Sequence, residues 1–326
     1  MADSASHIAP LPDPLPPEIA SPLGPFHGEK PPAPAWFEDS IAVEPERFFI
    51  TCEGARIECL AWGERGKPGL IFVHGASAHA DWWSFIAPFF AKEYRVAALS
   101  LSGMGGSDWR EKYTFDLFDA EVDACARAAG LYESDALPIY IGHSFGGAVV
   151  YVGALAHPER MRGTIIIDTG FGPPPKESAA EAAKADVPQI AMGKIYPTME
   201  AALARFRLLP PQVPGNLFIA DFIARRSLRR APMPDGSGEG WTWKFDPNLF
   251  PRLERSTLRE LIGREPGPVF HIHGDRSRVM MRTGGRPSLL SPKAKNIAIP
   301  DSAHHIMVDQ PLALVAALRA TLAHWP

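Results

Sequence analysis

Short apolar runs alternate with amphipathic stretches along most of the chain. The runs Gly69–Val73, 137–142 and Gly163–Ile167 are almost wholly apolar, which is typical of strands in a sheet covered on both faces. Stretches with helical spacing, 115–129 and 145–156, lie between them. Because strands alternate with helices, the pattern predicts βαβ units and a doubly wound, mostly parallel sheet of the α/β class.

The same pattern divides the chain into three parts. Ten of the 34 prolines fall within residues 1–36, so 1–40 is expected to be an extended arm. At least partial packing on the body or on a partner subunit is favoured, and a disordered tail is the alternative. The α/β core is expected over 41–172 and 251–326, and residues 173–250 interrupt its alternation of strands and helices. The other predicted elements are strands at 48–52, 56–62, 95–101, 268–273 and 295–299 and helices at 82–91 and 312–324.

The interruption at 173–250 is interpreted as helices inserted between two strands of the sheet. Such an insertion lies over the strand ends, where open α/β sheets bind ligands, so it is a candidate lid. Residues 232–240 are predicted to form a surface loop. The candidate lid carries a basic run formed by Arg225, Arg226, Arg229 and Arg230. This run is interpreted as a solvated helix face; the alternative is that it attracts a substrate that carries a carboxylate.

Composition narrows the class of protein. The chain has 46% apolar residues, 21% charged residues and a formal net charge of -4, so a packed core is expected and nucleic acid is a poor partner. Its three cysteines lack disulfide or zinc-site spacing, which favours a reducing cytoplasm. No export signal and no membrane span are expected. A small-molecule substrate is expected, and a homo-oligomer is left open.

The strongest local signal is the run Gly142-His143-Ser144-Phe145-Gly146, at the junction of an apolar strand and a helix. Its spacing, G-x-S-x-G, is that of a nucleophile elbow, in which a tight turn exposes the serine hydroxyl. Glycines are required because side chains at the two flanking positions would collide with neighbouring elements. The run therefore predicts that Ser144 is a nucleophile, which needs a base within hydrogen-bond distance.

The segment 300–311, between the last strand and the last helix, offers that base. With this segment and the elbow, the chain resembles the α/β-hydrolase fold family over about 45–172 and 251–326. The family's base usually stands in a Gly-His step seven residues before the proline that opens the last helix. Counting back from Pro311 gives His304, with Ala303 in the glycine position, and His305 is the alternative. The resemblance also implies an eight-stranded sheet.

The acid that orients the histidine is less clearly marked. The family commonly places it after the strand at 268–273, but the expected position is Ser277, which cannot hold the counter-charge of an imidazolium. Some relatives place the acid at the end of the preceding strand, where Asp168 follows three isoleucines. A charge at a buried strand end needs a partner, so Asp168 is favoured. Asp275 is the alternative, with a loop cap as its other interpretation.

The resemblance further implies two oxyanion donors, the backbone N–H groups of Ala76 and Phe145, with His74 fixing the turn before Ala76. No metal and no organic cofactor are implied. His271 and His273 are expected to face opposite sides of their strand, which argues against chelation by the pair. Aromatic and sulfur-containing residues that would line an apolar substrate pocket, or else belong to the core, are Trp82, Trp83, Phe145, Met192, Trp241, Trp243 and Phe245.

These expectations describe a serine hydrolase that cleaves a carboxylic ester or lactone of a small to medium, largely apolar substrate through an acyl-enzyme. Serine at the elbow argues against haloalkane dehalogenase and epoxide hydrolase activity, since relatives with those chemistries use aspartate there. Two alternatives stay open. One is hydrolysis of a carbon–carbon bond in a vinylogous diketone, and the other is a ligand-binding protein without turnover, to which the serine at position 277 would point.

Overall fold

The computed structural model describes residues 11–170, 193–254, 266–282 and 294–326. Met192, a predicted pocket residue, lies outside these ranges. The strands of the described part are β1 (Glu46–Cys52), β2 (Ala55–Trp62), β3 (Gly69–Val73), β4 (Arg95–Ser100), β5 (Tyr113–Thr114), β6 (Ile139–His143), β7 (Gly163–Ile167), β8 (Leu228–Pro232), β9 (Glu239–Trp243), β10 (Leu253–Glu254), β11 (Val269–Gly274) and β12 (Lys295–Ile299).

The α-helices of the same ranges are mostly short. They are α1 (Pro17–Ala20), α2 (Ala35–Ile41), α3 (Phe115–Ala128), α4 (Phe145–Ala156), α5 (Met199–Leu203), α6 (Leu217–Arg226), α7 (Arg278–Arg282), α8 (Ile306–Asp309) and α9 (Pro311–Ala323). None of the described helices is long and apolar enough to cross a membrane.

One eight-stranded sheet organises the core, in the order β1-β2-β4-β3-β6-β7-β11-β12. Strand β2 is antiparallel to both of its neighbours, and the other neighbouring pairs from β4 to β12 are parallel. All residues of β3, β6 and β7 are buried, because helices and loops cover both faces of the sheet. The predicted doubly wound, mostly parallel sheet is confirmed.

The predicted helix at 82–91 is wrong. The chain there forms two short 3-10 turns, Ala80–Trp83 and Ala87–Phe89. Pro88 accounts for the break, because it lacks an N–H and its ring clashes with the preceding turn of an α-helix. The turns nevertheless bury Trp83 and Phe85 in the core.

The described part of the insertion, 193–250, is not helical throughout. Helices α5 and α6 are followed by an antiparallel hairpin of β8 and β9, so the predicted surface loop at 232–240 is the end of a hairpin. Arg229 and Arg230 therefore lie on a strand, and only Arg225 and Arg226 lie on a helix.

The proline-rich arm packs on the body from residue 11 onward. Leu23 and Phe37 are buried, with 2% and 3% exposure, and the ring of Phe37 lies 4.9 Å from that of Phe218 on α6. Arg225 of α6 donates a 2.6 Å hydrogen bond to the carbonyl of Gly28. The arm thus packs against helix α6.

The expectation that His271 and His273 face opposite sides of the sheet is wrong. Their rings stack at 5.4 Å with an interplanar angle of 15°. Side chains alternate along a strand with a period of two, so positions i and i+2 share a face. Both rings lie at the carboxyl end of β11.

Candidate active site

The elbow at Ser144 joins β6 to α4 by a strained turn. Ser144 has φ 52° and ψ -117°, a conformation that L-residues rarely adopt. A Cβ atom at Gly142 would overlap the carbonyl of Gly146, and one at Gly146 would overlap the carbonyl oxygens of Val73 and His74. Both glycines are therefore required sterically, and the serine is held at the carboxyl end of the sheet.

His304 lies within hydrogen-bond distance of the serine. Its Nε2 is 2.9 Å from Oγ of Ser144, and its Nδ1 is 2.7 Å from Oδ1 of Asp168. The carboxylate accepts from Nδ1–H, which leaves the lone pair of Nε2 directed at the hydroxyl. His304 is 4% exposed and Asp168 is fully buried, so little water competes for these bonds.

Asp168 is buried and directly follows the carboxyl end of β7, a central strand of the sheet. Besides the imidazole, its Oδ1 accepts a 2.5 Å hydrogen bond from the hydroxyl of Ser277, and its Oδ2 accepts one of 2.8 Å from the N–H of Gly274. Three donors thus surround a carboxylate that has no contact with water. These hydrogen bonds fix the orientation of the carboxylate toward His304.

Asp275, the alternative acid, has a different role. Its Oδ1 accepts a 3.2 Å hydrogen bond from the N–H of Ser302, so it caps the loop that carries His304. The structure gives it no hydrogen bond to the imidazole among the described residues. His305, the alternative base, donates through Nε2 to the carbonyl of Leu209 at 3.0 Å, and burial lowers its pKa well below the usual value.

The predicted oxyanion donors lie on the two loops that meet at Ser144. A Cβ atom on Gly75 would come within 3.3 Å of Cβ of Ser144, so the loop that carries Ala76 packs against the elbow. Within the described ranges, neither the N–H of Ala76 nor that of Phe145 has a protein acceptor. Phe145 opens α4, where helix N–H groups are unpaired and carry partial positive charge.

Two buried histidines hold these loops. Leu101 N–H donates to Nε2 of His74 at 3.0 Å, and Nδ1 of His74 donates to the carbonyl of Gly75 at 2.7 Å. His143 donates through Nε2 to the carbonyl of His304 at 3.0 Å. Burial lowers the pKa of His74 and of His143 to about 3, so both rings are neutral. His74 therefore fixes the turn, as expected.

Asp309 is a residue that the sequence analysis missed. Its Oδ2 accepts a 2.8 Å hydrogen bond from the N–H of Ala303, and its carboxylate also accepts from Gln212 and Gly215. Burial raises its pKa above the usual value. Asp309 thus ties the loop before His304 to the insertion. The sequence did offer a signal for this role, because Asp309 stands two residues before Pro311, the proline used to locate His304.

Glu58 on β2 supplies a carboxylate next to Ser100, the last residue of β4. Ser100 donates to Oε2 of Glu58 at 2.7 Å, and the N–H of Gly106 donates to the same atom at 2.9 Å. Burial alone would raise the pKa of Glu58, but these hydrogen bonds and the charge of Arg47 lower it. The acid therefore comes from β2 and fixes the loop after β4.

A cavity of about 240 Å³ adjoins the site. Ser144 is not among its lining residues, but Ala76 and His305 are. The sequence analysis missed two cationic lining residues, Arg205 and Arg207, because nothing in the pattern placed this segment beside the site. The aromatic lining residues are Trp82, Tyr196, Phe206, Trp243 and Phe245.

Three of the predicted pocket aromatics lie elsewhere. Trp83 is fully buried and its ring lies 4.9 Å from that of Phe72. Trp241 is not a lining residue; its ring lies under the guanidinium of Arg230. Phe145 packs its ring among other aromatic rings of the core. Trp82, Trp243 and Phe245 do line the cavity.

Three imidazoles come close together at the site. His143, His304 and His305 offer ring nitrogens within 4.8 Å of one another. Both nitrogens of His304 are already hydrogen-bonded, to Asp168 and Ser144, so a cation would have to displace one of these bonds. The expectation that no metal is needed stays a prediction.

Comparisons with known proteins place this geometry in context. Epoxide hydrolase 4 of Mus musculus is 33% identical over 122 residues, which are 36% of this chain and 33% of that protein. The chain thus spans about a third of the length of the epoxide hydrolases it matches first. The pimeloyl-[acyl-carrier protein] methyl ester esterase of Edwardsiella ictaluri is 25% identical over 259 residues, which are 78% of this chain and 92% of that protein.

The fold is also shared with solved structures. The crystal structure of E-2-(acetamidomethylene)succinate hydrolase aligns with 86% of this chain, and the alignment includes 100% of the hydrolase chain. The TM-score is 0.66 and the sequence identity is 17%. A family model described as "Alpha/beta hydrolase family" matches residues 70–318, which include Ser144, Asp168 and His304. This chain belongs to the alpha/beta hydrolase family.

Proposed function

We propose that this protein is a serine hydrolase that cleaves a carboxylic ester or lactone through an acyl-enzyme. The observation that carries the proposal is the hydrogen-bonded series Ser144–His304–Asp168, with Oγ–Nε2 and Nδ1–Oδ1 distances of 2.9 and 2.7 Å. Nucleophile, base and orienting acid are the groups that acyl transfer requires, in the order in which it uses them.

In the first half-reaction, Oγ of Ser144 attacks the acyl carbon and passes its proton to Nε2 of His304. The buried Asp168 carboxylate stabilises the imidazolium. The oxyanion of the tetrahedral intermediate accepts hydrogen bonds from the N–H groups of Ala76 and Phe145. When the intermediate collapses, His304 gives the proton to the departing alkoxide, and an acyl-serine ester and an alcohol result.

In the second half-reaction, His304 removes a proton from a water molecule, whose oxygen attacks the acyl carbon. The new tetrahedral intermediate expels Oγ of Ser144, which recovers its proton from His304. The products are a carboxylic acid and the free enzyme. No redox step or added group is involved.

Opening of an epoxide is not proposed, although several relatives are named epoxide hydrolases. Attack by Oγ of Ser144 on an epoxide carbon would leave an ether, which water at neutral pH does not hydrolyse. A carboxylate nucleophile would instead leave an ester that water can cleave. A serine at the elbow therefore favours acyl transfer, and the name of the Edwardsiella ictaluri relative, an esterase, is in line with it.

The test offers p-nitrophenyl acetate, p-nitrophenyl butyrate and a vinylogous dienoate diketone to the same preparation. We expect turnover of both esters and loss of that turnover in Ser144→Ala. Turnover of the dienoate alone would replace the ester proposal with carbon–carbon bond hydrolysis. No turnover of any of the three by folded protein would favour the ligand-binding alternative.

A further inference from the structure

The cavity beside the site is lined mainly by aromatic and aliphatic side chains, together with Ser77, Ser227, His305 and two guanidinium groups. Arg205 and Arg207 follow α5 and both line it; Arg205 is exposed and Arg207 is half-buried. The side chain between them, Phe206, is buried and its ring lies 6.1 Å from that of Trp243. The chain therefore brings two cations to the edge of a space otherwise formed largely by aromatic rings.

Neither guanidinium is neutralised by the part of the protein that the structure describes. The side chains of Arg205 and Arg207 form no hydrogen bond and no ion pair with a described residue. The arginines of the neighbouring helix α6 differ in this respect. Arg225 pairs with Asp221 at 2.7 Å, and Arg226 lies 3.5 Å from Asp81.

The backbone that carries the two arginines is fixed to the loop of the candidate base. The carbonyl of Leu209 accepts a hydrogen bond of 3.0 Å from Nε2 of His305, and Oε1 of Gln212 accepts one of 3.0 Å from the N–H of His305. Gln212 also donates to Asp309. A ligand held by these arginines would consequently keep a fixed position relative to His304, the neighbour of His305.

We propose that the substrate carries a carboxylate at the end remote from the scissile carbonyl, and that Arg205 and Arg207 bind it. The inference rests on the proposed ester hydrolysis and names its substrate class. A guanidinium donates two parallel hydrogen bonds to a carboxylate, and partial burial of Arg207 beside aromatic rings strengthens its attraction for that charge. The rings of Trp82, Phe206 and Trp243 cover the apolar part of the acyl chain.

The test compares two pairs of activated esters with equal chain length. Mono-p-nitrophenyl adipate is paired with p-nitrophenyl hexanoate, and mono-p-nitrophenyl suberate with p-nitrophenyl octanoate. Because the leaving group is the same, a difference in kcat/KM within a pair reports on the remote carboxylate. We expect the carboxylate ester to be preferred at least tenfold in one or both pairs, which is the usual effect of a hydrogen bond to a charged group.

The variants are Arg205→Gln and Arg207→Gln, with Arg56→Gln as the control. Arg56 is an exposed arginine on β2 that does not line the cavity, and its replacement makes the same change in net charge. We expect each cavity variant to lower kcat/KM for the preferred carboxylate ester about tenfold and to leave the neutral ester within twofold. The control should change neither by more than twofold.

A second readout does not depend on turnover. Calorimetry on Ser144→Ala measures the binding of monomethyl adipate and methyl hexanoate, with the same arginine variants in that background. Tighter binding of monomethyl adipate that Arg207→Gln abolishes supports the inference even if neither p-nitrophenyl ester is cleaved, an outcome that defeats only the proposed function. Equal binding of the two methyl esters, together with equal cleavage of each p-nitrophenyl ester pair, overturns the inference and leaves ester hydrolysis standing.

Discussion

The hydroxyl of Ser277 donates a hydrogen bond of 2.5 Å to Oδ1 of Asp168, the same oxygen that accepts from Nδ1 of His304. Position 277 is where the family resemblance leads one to expect the acid. Here the carboxylate comes from the end of β7 instead, and the residue at the usual position is one of its donors. Ser277 is therefore compatible with a site whose acid comes from the end of β7. It is not a sign that the site lacks an acid.

We expect Asp168→Asn to lower kcat for p-nitrophenyl butyrate by about 10³-fold or more, because an amide at this position favours the wrong tautomer of His304. Asparagine also tolerates the positive φ of 45° at position 168, so the fold should be retained. Steady-state kinetics and a melting curve check both points. Asp275→Asn is the matched control, and equal, mild losses in the two variants would mean that the acid lies elsewhere.

Moving the carboxylate from position 168 to position 277 should recover part of the kcat that Asp168→Asn loses. Oγ of Ser277 lies 2.5 Å from the Asp168 oxygen that faces the imidazole, so a carboxylate at position 277 would reach the same Nδ1–H. We expect the double variant Asp168→Asn, Ser277→Asp to exceed Asp168→Asn in kcat by at least about tenfold, since it restores the counter-charge. Single-turnover measurements would reveal the recovery, and two indistinguishable variants would argue against this geometry.

Protonation of buried histidines should make the protein sensitive to acid. The pKa of His143 is lowered to about 3 by burial and by the neighbouring His304, whereas an unfolded histidine titrates near 6.5. Between these values the unfolded chain binds a proton that the folded chain does not. The contribution of His143 is thus fully present above pH 6.5 and declines by about 1.4 kcal/mol per pH unit as the pH falls toward 3.

The measurement is the free energy of unfolding in urea from pH 7.5 to 4.5. His143→Gln, which keeps an N–H donor for the carbonyl of His304, should show a slope smaller than that of the unsubstituted protein by about 1.4 kcal/mol per pH unit below pH 6. Identical slopes would mean that His143 is not held neutral.

Asp309 should position His304 through the N–H of Ala303, to which it is bonded at 2.8 Å. We expect Asp309→Ala to lower kcat about tenfold, the usual effect of losing a hydrogen bond to a charged group. Asp309→Asn keeps an acceptor and should lose less. Kinetics at a temperature well below both melting points separate positioning from stability, and unchanged kcat in Asp309→Ala would refute the role.

Much of the sheet could be predicted because its central strands are buried on both faces and carry continuous apolar runs; β3 and β7 coincide with their predicted ranges. The edge strand β12 also coincides with its predicted range, although most of its residues are exposed. The strand-to-helix turn of the elbow was also recognisable, because its two glycines are sterically required. The roles of Ser144, His304 and Asp168 stay predictions, although the structure brings the three side chains within hydrogen-bond distance.

Other features depend on contacts that the local sequence does not encode. The hairpin of β8 and β9 was missed because its basic residues also suit a helix face, and its pairing forms between segments. The position of Arg205 and Arg207 depends on hydrogen bonds between 209–212 and His305, about 95 residues away along the chain. Long-range contacts of this kind leave no periodic signal.

Covalent labelling decides whether Ser144 is a nucleophile that His304 activates. The protein is treated with diethyl p-nitrophenyl phosphate, and released p-nitrophenolate and intact mass are followed together. We expect one diethylphosphoryl group per chain on Ser144, no adduct in Ser144→Ala, and labelling slowed at least a hundredfold in His304→Ala. Equal labelling of folded Ser144→Ala, or a folded protein that is never labelled, would contradict this role of Ser144.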